Sequence, residues 1–303
     1  MLFIRKIRFR NVHTCIRDIV NVAIRMKNIK FLGLLCLSIV LLLGFVLPTY
    51  SGYVTAAPEN KTLMQPQGKQ DMATNATNIV LVHGLWADGS SWSKVIPILQ
   101  KAGHKVIAVQ LAAHSLADDV ATVKRAIDLV GGPVTLVGHS YGGFVITNAA
   151  YNNKNVTGLV YIAAFAPDEG ESTGNFVDVA KLPSGLLVPD SGGFVYLNPK
   201  MFHGAFVQDD ANATEAETMA VVQKPAHQSL LTEKSVSPAW KQHPTWYQVS
   251  EGDHIIPPDA ERMFAKRMNA TTISLNSSHA SLVTHPAEIA ELILNATKGG
   301  ATK

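Results

Sequence analysis

From Asn78 onward, short apolar runs rich in β-branched residues alternate with amphipathic stretches, and nothing else in the chain limits the fold as strongly. This is the βαβ rhythm of an α/β protein built on a doubly wound, mostly parallel sheet. Predicted strands are Ile79 to His83, Lys105 to Val109, Val134 to Val137, Val156 to Ala163, Trp246 to Ser250 and Thr272 to Leu275, a sheet of about six. Most are apolar throughout, as strands covered on both faces should be. Predicted helices lie near Ser91 to Lys101, Leu116 to Val130, Phe144 to Tyr151, Pro258 to Met268 and Pro286 to Ala296. In the second of these, Val120, Val123, Ile127 and Val130 recur at helical spacing, while Asp118, Asp119, Lys124 and Asp128 fall on other faces. One domain over residues 78–298 follows.

One segment interrupts the rhythm. Residues 165–243 scatter Pro, Gly and Asp among short apolar patches, and about 80 residues is too long for a structureless loop inside a compact domain. A helical cap inserted over a pocket is the expected form.

Charge is distributed unevenly. Residues 1–56 hold 8 of the 26 Lys/Arg and 1 of the 23 acidic residues, net +7, which leaves the rest with 18 against 22, net −4. The body therefore lacks the basic, aromatic-studded face of a nucleic-acid binder, and nucleic acid is not an expected partner. Within the basic leader, Phe31 to Leu47 is 17 residues without a charge, followed by Val54-Thr55-Ala56. That order reads as an export signal cleaved after Ala56, with Met26 as an alternative start, and the competing reading is a retained signal anchor. Either way everything beyond Pro48 is translocated, which implies a secreted or periplasmic body, or a membrane-anchored one with its catalytic domain outside. A membrane is then a partner only through an uncleaved leader. Residues 57–77 are polar and aperiodic and read as a linker. Both cysteines, Cys15 and Cys36, lie in the leader, so the body has no disulfide, no thiol nucleophile and no thiolate metal ligand. The triplets at Asn75, Asn155, Asn212, Asn269 and Asn295 matter only in a host that glycosylates exported proteins.

The strand Val134 to Val137 runs straight into Gly138-His139-Ser140-Tyr141-Gly142-Gly143 and an apolar helix. Glycines around a serine at such a turn let a strained backbone lift the hydroxyl to the carboxyl edge of the sheet, as a nucleophile requires. Serine is a weak nucleophile at its free pKa, so a base is needed. His279, just beyond the last strand, is the candidate base, whereas His285 precedes Pro286 at a helix start and reads as a surface or capping residue. The orienting carboxylate is expected after the preceding strand, where Asp253 is preferred over its neighbour Glu251 and over Asp168. Two backbone N–H groups could receive developing negative charge, that of Tyr141 and that of Leu85 beyond Gly84; His83 reads as structural. Trp86, Phe202, Phe206 and Trp240 are candidate pocket walls.

With these residues in view, the chain resembles an α/β-hydrolase of the branch that includes small carboxylesterases, plant methyl esterases and hydroxynitrile lyases. The resemblance covers essentially Asn78 to Lys298 and rests on HGLWADGSSW, GHSYGG, AAFAPDEGES, EGDHIIPP and SSHASLVTHP. It implies a catalytic triad at Ser140, Asp253 and His279, oxyanion donors at Leu85 and Tyr141, and no metal or organic cofactor. Serine stands where related dehalogenases and epoxide hydrolases carry aspartate, and Ala280 stands where lyases of this branch carry lysine. The expected activity is that of an exported serine hydrolase acting on small or medium carboxylic esters through an acyl-enzyme. Alternatives are a lyase or cofactor-free perhydrolase on the same triad, or a non-catalytic binding protein.

Overall fold

The computed structural model describes residues 77–208 and 212–299. The leader, and the linker apart from Thr77, lie outside the described residues, as do the readings made for them. Six parallel strands form the main sheet: β1 Asn78–Val82, β2 Lys105–Ala108, β3 Val134–His139, β4 Val156–Ile162, β8 Thr245–Ser250 and β9 Thr271–Leu275, in the order β2-β1-β3-β4-β8-β9. Strands β5 to β7 belong to the segment between β4 and β8. Every residue of β1, β3 and β8 is buried, whereas the edge strands β2 and β9 keep exposed positions. Each fully buried Val, Leu or Ile of the central strands contributes about 1.5–3 kcal/mol.

Helices cover the sheet. α1 Ile96–Lys101 and α8 Pro286–Gly299 pack together over β2, β3, β4 and β8, while α2 Leu116–Val130 and α3 Tyr141–Ala149 pack together over β1, β3 and β4. α2 begins where the Ser115 hydroxyl accepts from the Asp118 N–H at 3.2 Å, with two aspartates in its first turn, and it stops at Gly131, whose φ of 61° favours glycine. The region predicted as one helix from Ser91 divides into a 3-10 turn, Gly89–Trp92, capped by the Asp88 side chain, and then α1. The remaining helices are α4 Pro199–Phe202, α5 Ala213–Val222, α6 Pro258–Arg267 on β8, and α7 Ser281–Thr284. Among the described residues no helix is long and apolar enough to cross a membrane.

The segment between β4 and β8 differs from an all-helical cap. Beside α4, α5 and several single turns it forms a three-stranded antiparallel sheet of β5 Leu187–Pro189, β6 Phe194–Leu197 and β7 Ala226–His227. The physical reason is a hairpin turn: the Asp190 Oδ1 accepts from the N–H groups of Gly192 at 2.8 Å and Phe194 at 2.9 Å, and Gly193 takes a φ of 82°. Two bonds tie this sheet to the main domain. Trp86 Nε1 donates to the Val195 carbonyl at 3.0 Å, and the His227 N–H donates to the Ala113 carbonyl at 2.8 Å.

Strand order locates the crevice. From β1 the chain crosses to β2 on one side and then to β3 on the other, so the loops leaving β1 and β3 diverge and leave space at their carboxyl ends. Left-handed non-glycine residues gather along this edge, with Trp86 after β1 at φ 59°, Ser140 after β3 at 54° and Ala163 after β4 at 41°. Such conformations cost about 1–3 kcal/mol each and persist where the surroundings enforce them.

Candidate active site

Ser140 occupies the turn between β3 and α3 with φ 54° and ψ −124°. Its backbone is pinned from three sides: its N–H donates to the Ile162 carbonyl at 3.2 Å, and its carbonyl accepts from Gly143 at 3.0 Å and Phe165 at 3.2 Å. The neighbouring glycines are required by space. A Cβ on Gly142 would lie 2.4 Å from the Val82 carbonyl oxygen, and one on Gly84 would lie 2.6 Å from the Ser140 Cβ.

Adjacent strands bring the other two side chains together. β8 and β9 are neighbours, so the loops that follow them lie side by side, joined by Glu251 N–H to Leu275 at 2.9 Å and Gly252 N–H to Ser277 at 3.0 Å. From these loops His279 reaches Ser140 Oγ through Nε2 at 2.8 Å and Asp253 Oδ2 through Nδ1 at 2.5 Å. Ser140 is 5%, Asp253 4% and His279 0% exposed, so the chain of hydrogen bonds is shielded from water. The second oxygen of Asp253 accepts from the Ile255 and Ile256 N–H groups at 2.6 and 2.8 Å, which holds the carboxylate for the imidazole. With the imidazole neutral and its proton on Nδ1, Nε2 is free to accept the serine proton. The His279 backbone carbonyl is bonded in turn by His139 Nε2 at 2.8 Å. Burial and the nearby His279 hold the His139 imidazole well below the usual histidine range, so it stays neutral.

The Leu85 and Tyr141 N–H groups flank Ser140 and, among the described residues, make no hydrogen bond within the protein. His83 sets the direction of the first. Its Nε2 accepts from the Leu111 N–H at 3.0 Å, which places the proton on Nδ1, and Nδ1 donates to the Gly84 carbonyl at 2.8 Å. That carbonyl and the Leu85 N–H share one planar trans peptide and point in opposite directions, so fixing one aims the other. Burial lowers the His83 pKa from 6.5 to about 4. The Tyr141 ring is anchored separately, its hydroxyl donating to the buried Asp119 carboxylate at 3.1 Å.

Ser140 opens into a narrow cavity of about 40 Å³ walled by Leu85, Trp86, Phe165, Leu197, Leu231 and Ile255 among others, with no charged side chain in its lining. Of the four aromatic residues expected there, Trp86 lines it. Phe206 lies edge-on against the His279 ring, 4.9 Å between centroids, and Phe202 stacks behind Phe206 at 5.0 Å; neither lines the cavity. Trp240 stands outside: its indole N–H bonds the Pro167 carbonyl at 2.8 Å and its ring carries the Arg267 guanidinium. The rejected acids lie elsewhere too, Glu251 paired with Arg262 and Asp168 with Lys241. His285 sits between α7 and α8, bonded to the Thr284 hydroxyl at 2.9 Å.

A sequence profile described as the alpha/beta hydrolase family matches residues 79–292. The chain belongs to that family. Among curated proteins, this chain is similar to a carbendazim-hydrolysing esterase of Nocardioides sp. (strain SG-4G), 36% identical over 131 residues that make up 39% of this chain and 52% of the esterase. It is also similar to salicylic acid-binding protein 2 of Nicotiana tabacum, 37% identical over 106 residues, 30% of this chain and 40% of the tobacco protein. These matches thus span only 52% and 40% of the relatives' own lengths. Among solved structures, an extracellular α/β-hydrolase from a Paenibacillus species superposes with a TM-score of 0.64 at 25% identity, over 73% of this chain and 98% of that one. A pyrethroid hydrolase from Sphingobium faniae, with a TM-score of 0.61 at 22% identity over 75% and 100% of the two chains, shares the fold.

Four supports of the site escape sequence reasoning: the Ile255–Ile256 N–H pair, His139, the aiming role of His83, and Glu261 beside Asp253. An aspartate followed by residues that turn back is a signal for the first; His139 and His83 depend on contacts with His279 and Leu111, distant in the chain, and Glu261 on how α6 packs against β8. The buried histidines also set an acid limit. Between pH 6.5 and about 4 the unfolded chain binds a proton at His83 that the folded one refuses, so stability falls as pH drops through that window, by on the order of 3 kcal/mol for His83 alone. His139 acts in the same sense. Thermal midpoints measured across that range should fall with acidity, and His83→Asn should flatten the dependence; an equally steep fall in the variant would assign it to other groups.

Proposed function

We propose that this hydrolase cleaves small or medium uncharged carboxylic esters through an acyl-enzyme, and that it does so outside the cytoplasm. The observation that carries the chemistry is the unbroken hydrogen-bond chain from Ser140 through His279 to Asp253, ending in an apolar cavity. Ser140 Oγ attacks the ester carbonyl carbon while its proton passes to His279 Nε2. The resulting oxyanion is received by the Leu85 and Tyr141 N–H groups, and Asp253 stabilises the imidazolium. Collapse breaks the bond to the leaving alcohol, which takes the proton from His279. Water then gives its proton to His279 and attacks the acyl carbon; as the Ser140 ester breaks and the acid is freed, His279 returns that proton to Ser140 Oγ. Similarity to an esterase supports the substrate class. Export is supported by the leader and by similarity to an extracellular α/β-hydrolase.

A fluorophosphonate should label Ser140 and no other residue, and Ser140→Ala should abolish hydrolysis of p-nitrophenyl butanoate; labelling elsewhere would move the nucleophile. Asp253→Asn should lower kcat by roughly 10³–10⁴-fold, with Asp168→Asn close to wild type; the reverse order relocates the acid. Because the cavity has no partner for a charge, a p-nitrophenyl ester whose acyl chain ends in a carboxylate should lose at least about tenfold in kcat/KM against its neutral counterpart, and equal rates would refute an apolar acyl site. The exported protein should begin at Ala57 on N-terminal sequencing, whereas an intact leader in the membrane fraction would replace cleavage with an anchor.

A further inference from the structure

Glu261 is buried beside the triad and has no part in the steps above. It projects from α6 and is 0% exposed. Its Oε2 accepts the Ser250 N–H at 2.9 Å, while its Oε1 is enclosed and receives no donor. The Glu261 side chain is in hydrogen-bonding contact with that of Asp253, and Oε1 is its oxygen that no donor occupies. Two ionised carboxylates cannot bond each other, because each only accepts. One of the two must carry a proton.

The donors around the pair decide which. Asp253 already receives the Ile255 and Ile256 N–H groups and His279 Nδ1, which suits a carboxylate, whereas Glu261 receives the Ser250 N–H alone. Among the described residues no ion pair joins a Lys or Arg to Glu261. On its own helix Arg262 turns outward to Glu251 and Asp259, and Arg267 is held by Glu171. From β8 the facing group is Tyr247, whose hydroxyl is spent on the Ala164 backbone, and from the acid loop it is Glu251. Burial, followed by the Asp253 charge and the hydrogen bond to it, pushes the Glu261 carboxyl well above the usual carboxylate range.

We propose that Glu261 is a positioning residue that keeps its proton on Oε1 and donates it to Asp253, so that it holds the triad acid in place and tempers the negative charge Asp253 presents to His279. This role rests on the triad assigned under the proposed function. A protonated glutamic acid has the hydrogen-bonding pattern of glutamine, its carbonyl oxygen accepting from Ser250 and its O–H donating to Asp253. Glutamine can therefore replace it, and leucine cannot.

The test uses Glu261→Gln and Glu261→Leu in the full-length protein, with pH profiles of kcat/KM for p-nitrophenyl butanoate. Glu261→Leu should lose about tenfold or more in kcat/KM, the size of one charge-assisted hydrogen bond, and its acid limb should move to higher pH because Asp253 then holds the imidazolium more strongly. Glu261→Gln should rescue most of that loss and leave the acid limb where the wild type has it. In the infrared difference spectrum of wild type minus Glu261→Gln at neutral pH, the C=O band of a protonated carboxyl should appear. An acid limb moved to lower pH in Glu261→Gln, meaning that a negative charge was removed, would overturn the proposal. So would equal impairment of both variants, or absence of the band. Should Glu261→Leu fail to fold, the Gln profile and the infrared band still decide. Activity retained in Ser140→Ala would instead sink the triad reading, and the infrared band, which does not depend on catalysis, keeps the two failures apart.

Discussion

The backbone of Ser140 cannot hold its left-handed conformation by itself, and much of the site depends on what holds it there. The restraints come from different parts of the sheet: β4 supplies the Ile162 carbonyl, the strand-to-cap connection supplies the Phe165 N–H, and the start of α3 supplies the Gly143 N–H. Gly142 lets α3 pass over the end of β1, and Gly84 lets the loop after β1 close on the serine. A strained turn costing about 1–3 kcal/mol is therefore enforced by bonds that the sheet order makes available. The same order creates the divergence of loops into which the serine points.

Around that turn, buried polar groups are arranged so that charge falls on few atoms. His83 and His139 are kept neutral by burial, and each spends a ring nitrogen on a backbone carbonyl that sets the position of a site residue, Leu85 in one case and His279 in the other. Asp253 collects three donors, the N–H groups of Ile255 and Ile256 and His279 Nδ1. Low local dielectric strengthens such bonds and makes an unpaired member costly, so the network favours one arrangement of its parts. The walls of the cavity at Ser140 are largely apolar and carry no charged side chain.

Legibility from sequence followed the distance over which each feature is determined. Strands and their ends were readable because apolar runs of this length carry their own signal, and the turn at Ser140 was readable because glycine and serine meet a local steric demand. The hairpin of β5 and β6 also has a local signal, Asp190-Ser191-Gly192-Gly193 between apolar residues, but among other turn residues it looks like one more irregular stretch. Phe202, Phe206 and Trp240 lie outside the cavity lining for another reason. Aromatic residues are equally suited to a cavity wall, a layer behind it or a cation platform, and only the path of the cap chooses among these.

By itself the sequence determined the α/β architecture, the position of Ser140 at a strand-to-helix turn, and the placement of Asp253 and His279 in the loops after the last two strands, because each follows from periodicity or chain order along neighbouring residues. Tertiary structure alone decided that Asp253 and His279 lie in hydrogen-bonding contact across adjacent strand ends, that His83 aims the Leu85 N–H, and that Glu261 faces Asp253. Glu261 illustrates the difference. On α6 it sits between Asp259 and Arg262 in a charged stretch that reads as a solvated helix face, and only the packing of that helix on β8 buries its carboxyl beside Asp253. Burial is a property of which surfaces meet, and that is set by the whole sheet rather than by the residues on either side.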